Sequence, residues 1–193
     1  LDDGIPIVCL DRIPEGPPVD SVTVDNEAGV HSAVSHLIAQ GHRDIAYIGG
    51  RLDLFVAQDR KNGFMRAMQE AGLKPREEWI LEGDFRQESG HNLGLKLLSA
   101  RRRPTAVFVA NVMMSLGVVS ALEELNMSTP EDLALAAFDH IHMMDGFRPH
   151  LTCVEQPSYE IGWQGANLLI DRIDNKSSKP PVHIQLKTEL RIR

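Results

Sequence analysis

The chain has 193 residues, of which 42% are hydrophobic and 24% are charged, the balance of an ordinary soluble globular protein. Its formal net charge of -7 would repel a polyanion, which argues against a surface specialised for gripping DNA or an anionic membrane. No apolar run approaches the roughly 20 residues of a membrane helix, and the first residues resemble no export signal. The chain starts with Leu1 and almost at once enters a strand-like run, so we expect it to be part of a longer protein.

Short β-branched runs alternate along the chain with amphipathic helical patterns, which is typical of an α/β domain built around parallel sheet. The predicted strands are, in chain order, residues 5–10, 21–24, 45–48, 105–109, 133–138 and 182–186. The predicted helices are residues 27–40, 59–71, 87–99, 112–126 and 159–174. Cys9 and Cys153 lie in strand-like runs and are too few for a disulfide framework, so we expect two reduced, buried thiols.

Motifs that would indicate an enzyme, a metal or a cofactor are weak. Gly49 and Gly50 follow a predicted strand, but no phosphate-loop or dinucleotide fingerprint accompanies them, so a simple glycine turn is favoured. His140 and His142 have no third ligand at metal-site spacing, and we interpret them as structural or exposed histidines. No serine lies in a nucleophile elbow. We therefore expect a protein without catalytic activity, metal or cofactor.

The loop after the strand at 133–138 is unusually apolar, since it carries Met143, Met144 and Phe147. Core filling would account for these side chains, and a subunit interface is the alternative, because exposed apolar patches often mark contacts. Pro157 and Pro180-Pro181 closely flank the last predicted helix. Because proline fixes φ and excludes the preceding residue from helix, this pattern suggests that the helix is bracketed by crossings between two lobes.

A dozen ordered segments together resemble the effector-binding region of repressors of the lactose-repressor/galactose-repressor (LacI/GalR) family. The segments are Val24-Asp25-Asn26 with Gly29, His36-Leu37-Ile38, Gly41-His42-Arg43, residues 45–50, Arg60 with Gly63-Phe64, Gly83-Asp84-Phe85, residues 104–108 with Ala110-Asn111, residues 130–135, Phe138-Asp139, Leu151-Thr152, Gln156-Pro157 and Thr188-Glu189-Leu190. They cover nearly the whole chain. Each segment is weak alone, but their order and spacing make the resemblance specific.

The resemblance implies a two-lobed α/β fold with parallel sheets, related to periplasmic sugar-binding proteins, with a ligand in the cleft. It implies an N-terminal lobe of residues 1–42 and 157–178 and a C-terminal lobe of residues 43–156 and 179–193. The first crossing would then lie near Gly41-His42-Arg43. The family's helix-turn-helix headpiece and first strand-helix units would precede Leu1, so we expect an incomplete N-terminal lobe.

The same resemblance assigns the ligand-binding residues. Those implied to face the effector are Asp11, Arg60, Phe85, Asn111 and Asp139. The carboxyl ends of parallel strands face the crevice in open α/β sheets, which independently favours Asp11, Asn111 and Asp139. Val112 and Ala137 depart from the family pattern, which has Asp and Gly there. Leu54 and Val56 stand where purine-binding members have polar contacts, which disfavours a nucleobase effector. We expect a small sugar or sugar-like ligand, because carboxylates and a guanidinium form hydrogen bonds with vicinal hydroxyls and an aromatic ring can cover an apolar sugar face.

Three functions compete at this point. The leading hypothesis is the sensing domain of a cytoplasmic, homodimeric transcriptional repressor that reaches operator DNA through its headpiece. A periplasmic sugar-binding receptor of a transport system shares the fold and is the alternative. An enzyme is a distant third, because no nucleophile and base are visible. A helix-turn-helix pattern upstream would favour the first function and an export signal the second.

Overall fold

The computed structural model describes residues 5–14, 16–140, 151–175 and 180–193. Its strands are β1 Val8–Leu10, β2 Asp20–Val24, β3 Ile45–Gly49, β4 Ile80–Glu82, β5 Ala106–Val109, β6 Ala134–Phe138, β7 Thr152–Glu155, β8 His183–Leu186 and β9 Glu189–Arg191. Its helices are α1 Asn26–Ala39, α2 Phe55–Glu70, α3 Gln87–Leu98, α4 Val112–Glu124 and α5 Ser158–Asn175, with a 3-10 turn at Glu77–Trp79. No described helix is both long and apolar enough to cross a membrane.

The chain divides into two compact units. Unit 1 comprises Leu1–Asp25 and Gln156–Thr188, and unit 2 comprises Asn26–Glu155 and Glu189–Arg193. The larger unit 2 holds a six-stranded sheet of order β4-β3-β5-β6-β7-β9, in which β9 pairs antiparallel with β7 and the other pairs are parallel. Unit 1 holds a three-stranded parallel sheet of order β1-β2-β8. The predicted α/β fold with parallel sheets is confirmed.

These units correct two of the lobe boundaries that the resemblance implied. Helix α1 lies in unit 2, so the chain passes between the units after Asp25 and not near Gly41-His42-Arg43. The physical reason is that α1 packs against α2 and against β6 and β7 of the larger sheet. Residues 180–188 lie in unit 1 and not in the larger lobe, because β8 pairs with β2 from Ser21 to Val24.

The strands at the centre of unit 2 are buried on both faces. Every residue of β3 and of β5 is buried, as expected for parallel strands covered by helices on both sides. Helix α1 packs against α2, and α3 packs against α4. These helix pairs meet closely at glycines: a Cβ on Gly63 would lie 2.3 Å from the Glu27 carbonyl oxygen, and one on Gly117 would lie 2.1 Å from that of Gln87. No larger residue fits either contact.

An ion pair between the half-buried Arg172 and the buried Asp20 links three segments of unit 1. The Arg172 Nε and Nη2 groups of α5 donate to the two carboxylate oxygens of Asp20 at 2.6 and 2.7 Å, and the Val182 amide donates to Asp20 at 2.7 Å. The contact ties the end of α5 to the start of β2 and to the chain entering β8. Donation from Arg172 is the main reason why the pKa of Asp20 is lowered from its usual value.

Several short elements were not predicted. The 3-10 turn, β4, β7 and β9 are at most four residues long, and β9 carries a single apolar residue between two charged ones. Strands this short form because a neighbouring strand supplies the hydrogen bonds, which local sequence does not reveal. Cys153 is buried as expected, whereas Cys9 is only half-buried because β1 is an edge strand.

Candidate functional site

The carboxyl edge of the larger sheet collects most of the residues that the sequence suggested. Strands β3, β5 and β6 are adjacent and parallel, with Ile48 opposite Val109 and Val109 opposite Ala137. Their carboxyl ends therefore meet along one edge. The residues that follow them, Gly50, Ala110-Asn111 and Asp139, lie along this edge, which is where open α/β sheets bind their ligands.

Arg60 of α2 is a buried cation at this edge. Its side chain Nε donates to Oδ1 of Asn26 at 2.8 Å, and Nη1 donates to the carbonyl oxygen of Ala110 at 2.7 Å. The guanidinium carbon lies 3.7 Å from the centre of the Phe138 ring. Because a buried charge is costly unless it is hydrogen-bonded, these contacts fix the guanidinium in one orientation. Arg60 is only 4% exposed.

Asn111 has a structural role that was not predicted from the sequence. It is the N-cap of α4, where its Oδ1 accepts a hydrogen bond from the Met114 amide at 3.0 Å. Its Nδ2 donates to the carbonyl oxygen of Phe85 at 2.9 Å. One side chain thus begins a helix and holds the loop that carries the predicted aromatic. The structure therefore places Asn111 at the site as a residue that organises its neighbours.

Phe85 lies in an unusual backbone conformation, with φ of 68°. A left-handed conformation is uncommon for a bulky residue, and such outliers concentrate where a local constraint or a function requires them. The ring packs directly on Gly50, where a Cβ would lie 2.0 Å from the Phe85 Cζ. Because Gly50 has no side chain, the Phe85 ring can pack against the carboxyl end of β3. The ring is half-buried and remains partly accessible.

Asp139 follows β6 directly and also has a positive φ, of 74°. Its amide donates to the Val154 carbonyl oxygen at 2.9 Å, which continues the β6 to β7 ladder by one bond. Asp adopts this left-handed region more readily than most residues. The side chain is half-buried and adjoins Phe138, whose ring is covered by Arg60. Arg60, Phe85, Asn111 and Asp139 are thus brought to one edge of one unit.

Asp11 belongs to the other unit. It follows β1 and has a φ of 64°, and its amide donates to the Val22 carbonyl oxygen at 2.9 Å. Its Oδ2 lies 3.8 Å from Arg12 Nε. Within the part of the chain that the structure describes, its buried Oδ1 has no hydrogen-bond partner. Asp11 therefore resembles Asp139 in its position at the carboxyl end of a strand, within unit 1.

Two residues at the edge were missed by the sequence analysis. From the sequence, Asn26 was named only as part of a family motif. In the structure its side chain is a hydrogen-bond acceptor of Arg60. Tyr47 of β3 packs its ring 5.1 Å from that of Phe64 and lies against Gly49, where a Cβ would be 2.4 Å from the tyrosine ring. Burial raises the pKa of the Tyr47 hydroxyl, which has no hydrogen-bond partner among the described residues.

Other candidates lie elsewhere. Met143, Met144, Phe147 and His142 fall outside the described residues. The described ranges contain no group of three or more histidine, cysteine or acidic side chains that could hold a metal ion. A cavity of about 920 Å³ lies at the amino edge of the larger sheet, and its walls include His36, His42, Pro130 and Arg193. None of the five predicted ligand-binding residues lines that cavity.

A parallel sheet covered by helices, with the candidate residues at the carboxyl ends of its strands, is compatible with a ligand-binding domain, and comparison with known proteins identifies the family. Residues 34–193 match the family described as periplasmic binding protein-like domain. One similar crystal structure is that of a regulatory protein of the LacI family from Chloroflexus aggregans, which is 34% identical in sequence with a TM-score of 0.88. The match covers 100% of this chain and 69% of that one. The chain therefore belongs to the LacI/GalR family, as its effector-binding region.

Two further proteins are similar to this chain. The chain is 37% identical over 190 residues to the HTH-type transcriptional repressor PurR of Pasteurella multocida, covering 98% of this chain. It spans 57% of the length of that relative. A LacI family transcriptional regulator from Enterococcus faecium with bound ribose is 28% identical, with a TM-score of 0.89, and the match covers 100% of this chain and 70% of that one. The relatives bear regulators' names.

Proposed function

We propose that this chain is the effector-sensing region of a DNA-binding transcriptional repressor, and that its effector is a small sugar or a close derivative. The observation that carries the proposal is the buried Arg60 guanidinium, fixed at the carboxyl edge of the larger sheet beside Phe138 and Asp139. A binding protein needs such a preorganised charged donor where a ligand arrives, because a group already in place loses little entropy on binding.

The chemistry of the edge suits vicinal hydroxyl groups. Asp139 accepts hydroxyl protons, Arg60 donates to hydroxyl oxygens, and the Phe85 ring covers an apolar sugar face. The resemblance also assigns Asp11, which follows β1 in unit 1, to the effector-binding residues. Asn111 acts chiefly by holding the Phe85 backbone and capping α4, with its amide as a further donor. The ribose in the Enterococcus faecium regulator supports this ligand class.

The apolar residues at the start of α2, Leu54 and Val56, disfavour a nucleobase as the effector. Leu54 precedes the helix as its N-cap and offers no side-chain hydrogen bond, and Val56 is 2% exposed. Purine recognition would need polar groups at these positions, because a desolvated base edge that is left unpaired weakens binding. The relatives' names favour a regulator over a transport receptor.

Regulation of DNA binding would require a separate DNA-binding headpiece, because the net charge of -7 on these 193 residues would repel DNA. Effector binding would favour one conformation of the two units and so change the placement of the headpieces on operator half-sites in the cytoplasm.

The homodimer would place Met143, Met144 and Phe147 near its interface. Replacing Met144 and Phe147 with glutamate should shift the full-length protein towards monomer in sedimentation, and an unchanged dimer would contradict that placement.

The proposed function is tested by a thermal-shift screen of the full-length protein against D-ribose, other pentoses, disaccharides, sugar phosphates and nucleobases. A ligand that binds only the folded state raises the midpoint in proportion to the logarithm of its concentration. We expect a neutral sugar to raise the midpoint and adenine and guanine to leave it unchanged. A response confined to nucleobases would contradict the proposed ligand class.

A further inference from the structure

Asn26 occupies a special place in the chain. It is the first residue of α1 and the first residue of unit 2, directly after Asp25, the last residue of the first segment of unit 1. The Asp25 amide donates to the Leu186 carbonyl oxygen at 2.9 Å, which ties that residue to the small sheet. Asn26 is 2% exposed, although an asparagine at the start of a helix is usually solvated. Its burial therefore needs an explanation.

The explanation is the hydrogen bond from Arg60. The Asn26 Oδ1 accepts from the Arg60 Nε at 2.8 Å across 34 positions of sequence, and both groups are buried. The Ala110 carbonyl and the Phe138 ring also contact the guanidinium, but they belong to the main chain after β5 and to the core of β6. The Asn26 contact differs because its acceptor is a side-chain oxygen, which a substitution at position 26 can remove.

We infer that Asn26 is the positioning residue of the effector-binding arginine, and that it links the orientation of Arg60 to the segment where the chain enters unit 2. This inference rests on the proposed function of Arg60. The Nε–H group is the donor nearest the side-chain stem, so an acceptor there sets the plane of the guanidinium and hence the direction of its terminal N–H groups. A ligand that engages Arg60 then acts through one hydrogen bond on the residue after Asp25.

Substitutions at position 26 can separate the loss of the acceptor oxygen from the loss of a polar residue that begins the helix. Asn26→Asp keeps an acceptor oxygen at the same distance from the backbone and should preserve the contact. Asn26→Ser keeps a polar residue that begins helices well but is too short to reach Nε, and Asn26→Ala removes the acceptor entirely. Asn62→Ala is the matched control, because Asn62 is an exposed asparagine of α2, two residues from Arg60.

The first readout needs no ligand. In the full-length protein labelled with isotopic arginine, the Arg60 Nε–H resonance is assigned by its loss in Arg60→Lys. We expect this proton to exchange slowly with water in the parent, in Asn26→Asp and in Asn62→Ala, because a buried, hydrogen-bonded group exchanges only on local opening. In Asn26→Ser and Asn26→Ala the exchange should be at least about ten-fold faster, as expected on losing one charge-assisted hydrogen bond.

The second readout is the affinity for D-ribose by calorimetry, below the melting range of every variant. Asn26→Ser and Asn26→Ala should bind about ten-fold more weakly than the parent, and Asn26→Asp and Asn62→Ala within about three-fold of it. A residue that only stabilises the fold would lower the melting midpoint and leave the affinity unchanged. The ratio of operator affinities with and without D-ribose should move towards one in Asn26→Ser and stay at the parent value in Asn62→Ala.

Two outcomes overturn the inference: unchanged Arg60 proton exchange in both Asn26→Ser and Asn26→Ala, or changed exchange with unchanged ribose affinity. If D-ribose does not bind the parent protein, the ligand of the proposed function is wrong, and the exchange measurement alone decides whether Asn26 positions Arg60. The two failures are therefore distinguishable, because the proton exchange is measured without ligand.

Discussion

Within these 193 residues, unit 1 and unit 2 are both parallel sheets packed with helices, and they differ in how completely helices cover the sheet. In unit 2, α1 and α2 pack together and α3 packs with α4 around six strands, and β3 and β5 are buried throughout. In unit 1, the described residues place α5 on a sheet of three strands. Its large side chains are correspondingly exposed, with Tyr159 at 83% and Trp163 at 51%. A parallel sheet is stable only where both faces are covered, so unit 2 should determine the stability of this chain.

The strongest test of this difference is a deletion in the core of unit 2. Phe108 lies in β5 with no exposed surface, and its ring stacks 6.3 Å from that of Tyr47. Phe108→Ala should lower the free energy of unfolding of the 193-residue chain by about 3–5 kcal/mol, because it removes buried surface and leaves a cavity. The measurement is urea unfolding followed by circular dichroism.

The matched deletion in unit 1 is Trp163→Ala. Because half of that side chain already faces solvent, the change should alter the free energy of unfolding by less than about 1 kcal/mol. If Trp163→Ala costs as much as Phe108→Ala, unit 1 packs as tightly as unit 2 and the comparison fails.

A pair of glycine substitutions sharpens the comparison at the level of helices. A Cβ on Gly117 of α4 would lie 2.1 Å from the Gln87 carbonyl oxygen, whereas one on Gly162 of α5 would meet nothing within 4 Å. Gly117→Ala should destabilise by about 1–3 kcal/mol through overpacking, and Gly162→Ala should stabilise by about 0.5–1 kcal/mol through helix propensity. Both are read from thermal melts of the 193-residue chain. A neutral Gly117→Ala would show that α3 and α4 are not in close contact.

The smallest expected effect is on the pH dependence of stability, through the ion pair between Asp20 and Arg172. Donation from Arg172 lowers the pKa of Asp20 in the folded protein, so the unfolded chain binds this proton more readily. The pair therefore stabilises the fold above the ordinary aspartate pKa of about 3.9, and this contribution is lost as the pH falls through the lower, folded value. Arg172→Met should reduce the melting midpoint at pH 7, and the difference from the parent should shrink as the pH falls below the ordinary aspartate pKa. A difference that does not depend on pH would exclude the ion pair as its source.

Much of this fold could be predicted because its helices are long and periodic. The predicted helix at 87–99 became α3 Gln87–Leu98, and that at 159–174 became α5 Ser158–Asn175. The boundary near Gly41-His42-Arg43 was wrong for a physical reason. Periodicity shows that Ala33, Val34 and Leu37 form an apolar face, but it does not show which of two sheets that face covers.

The candidate site was predictable only in part. A position after a strand identifies Asp139 as a residue at the sheet edge, and the resemblance adds Arg60 and Phe85. The hydrogen bond between Asn26 and Arg60 could not be foreseen, because 34 positions separate the residues and both lie on helices. The capping role of Asn111 was visible in principle, since Asn before an apolar helix is a common N-cap.

Arg60 is the cation that we propose for effector binding in unit 2, and its replacement is the most direct test of that role. Arg66 is a matched control, because it lies on the same helix but is exposed and pairs with Glu27 and Glu70 at the surface. Calorimetric titration of a sugar identified by the thermal-shift screen should show binding about ten- to 150-fold weaker in Arg60→Ala and unchanged in Arg66→Ala. Both variants must retain the parent circular dichroism spectrum at the titration temperature. Equal affinity of Arg60→Ala and the parent would contradict the placement of the effector site at this edge.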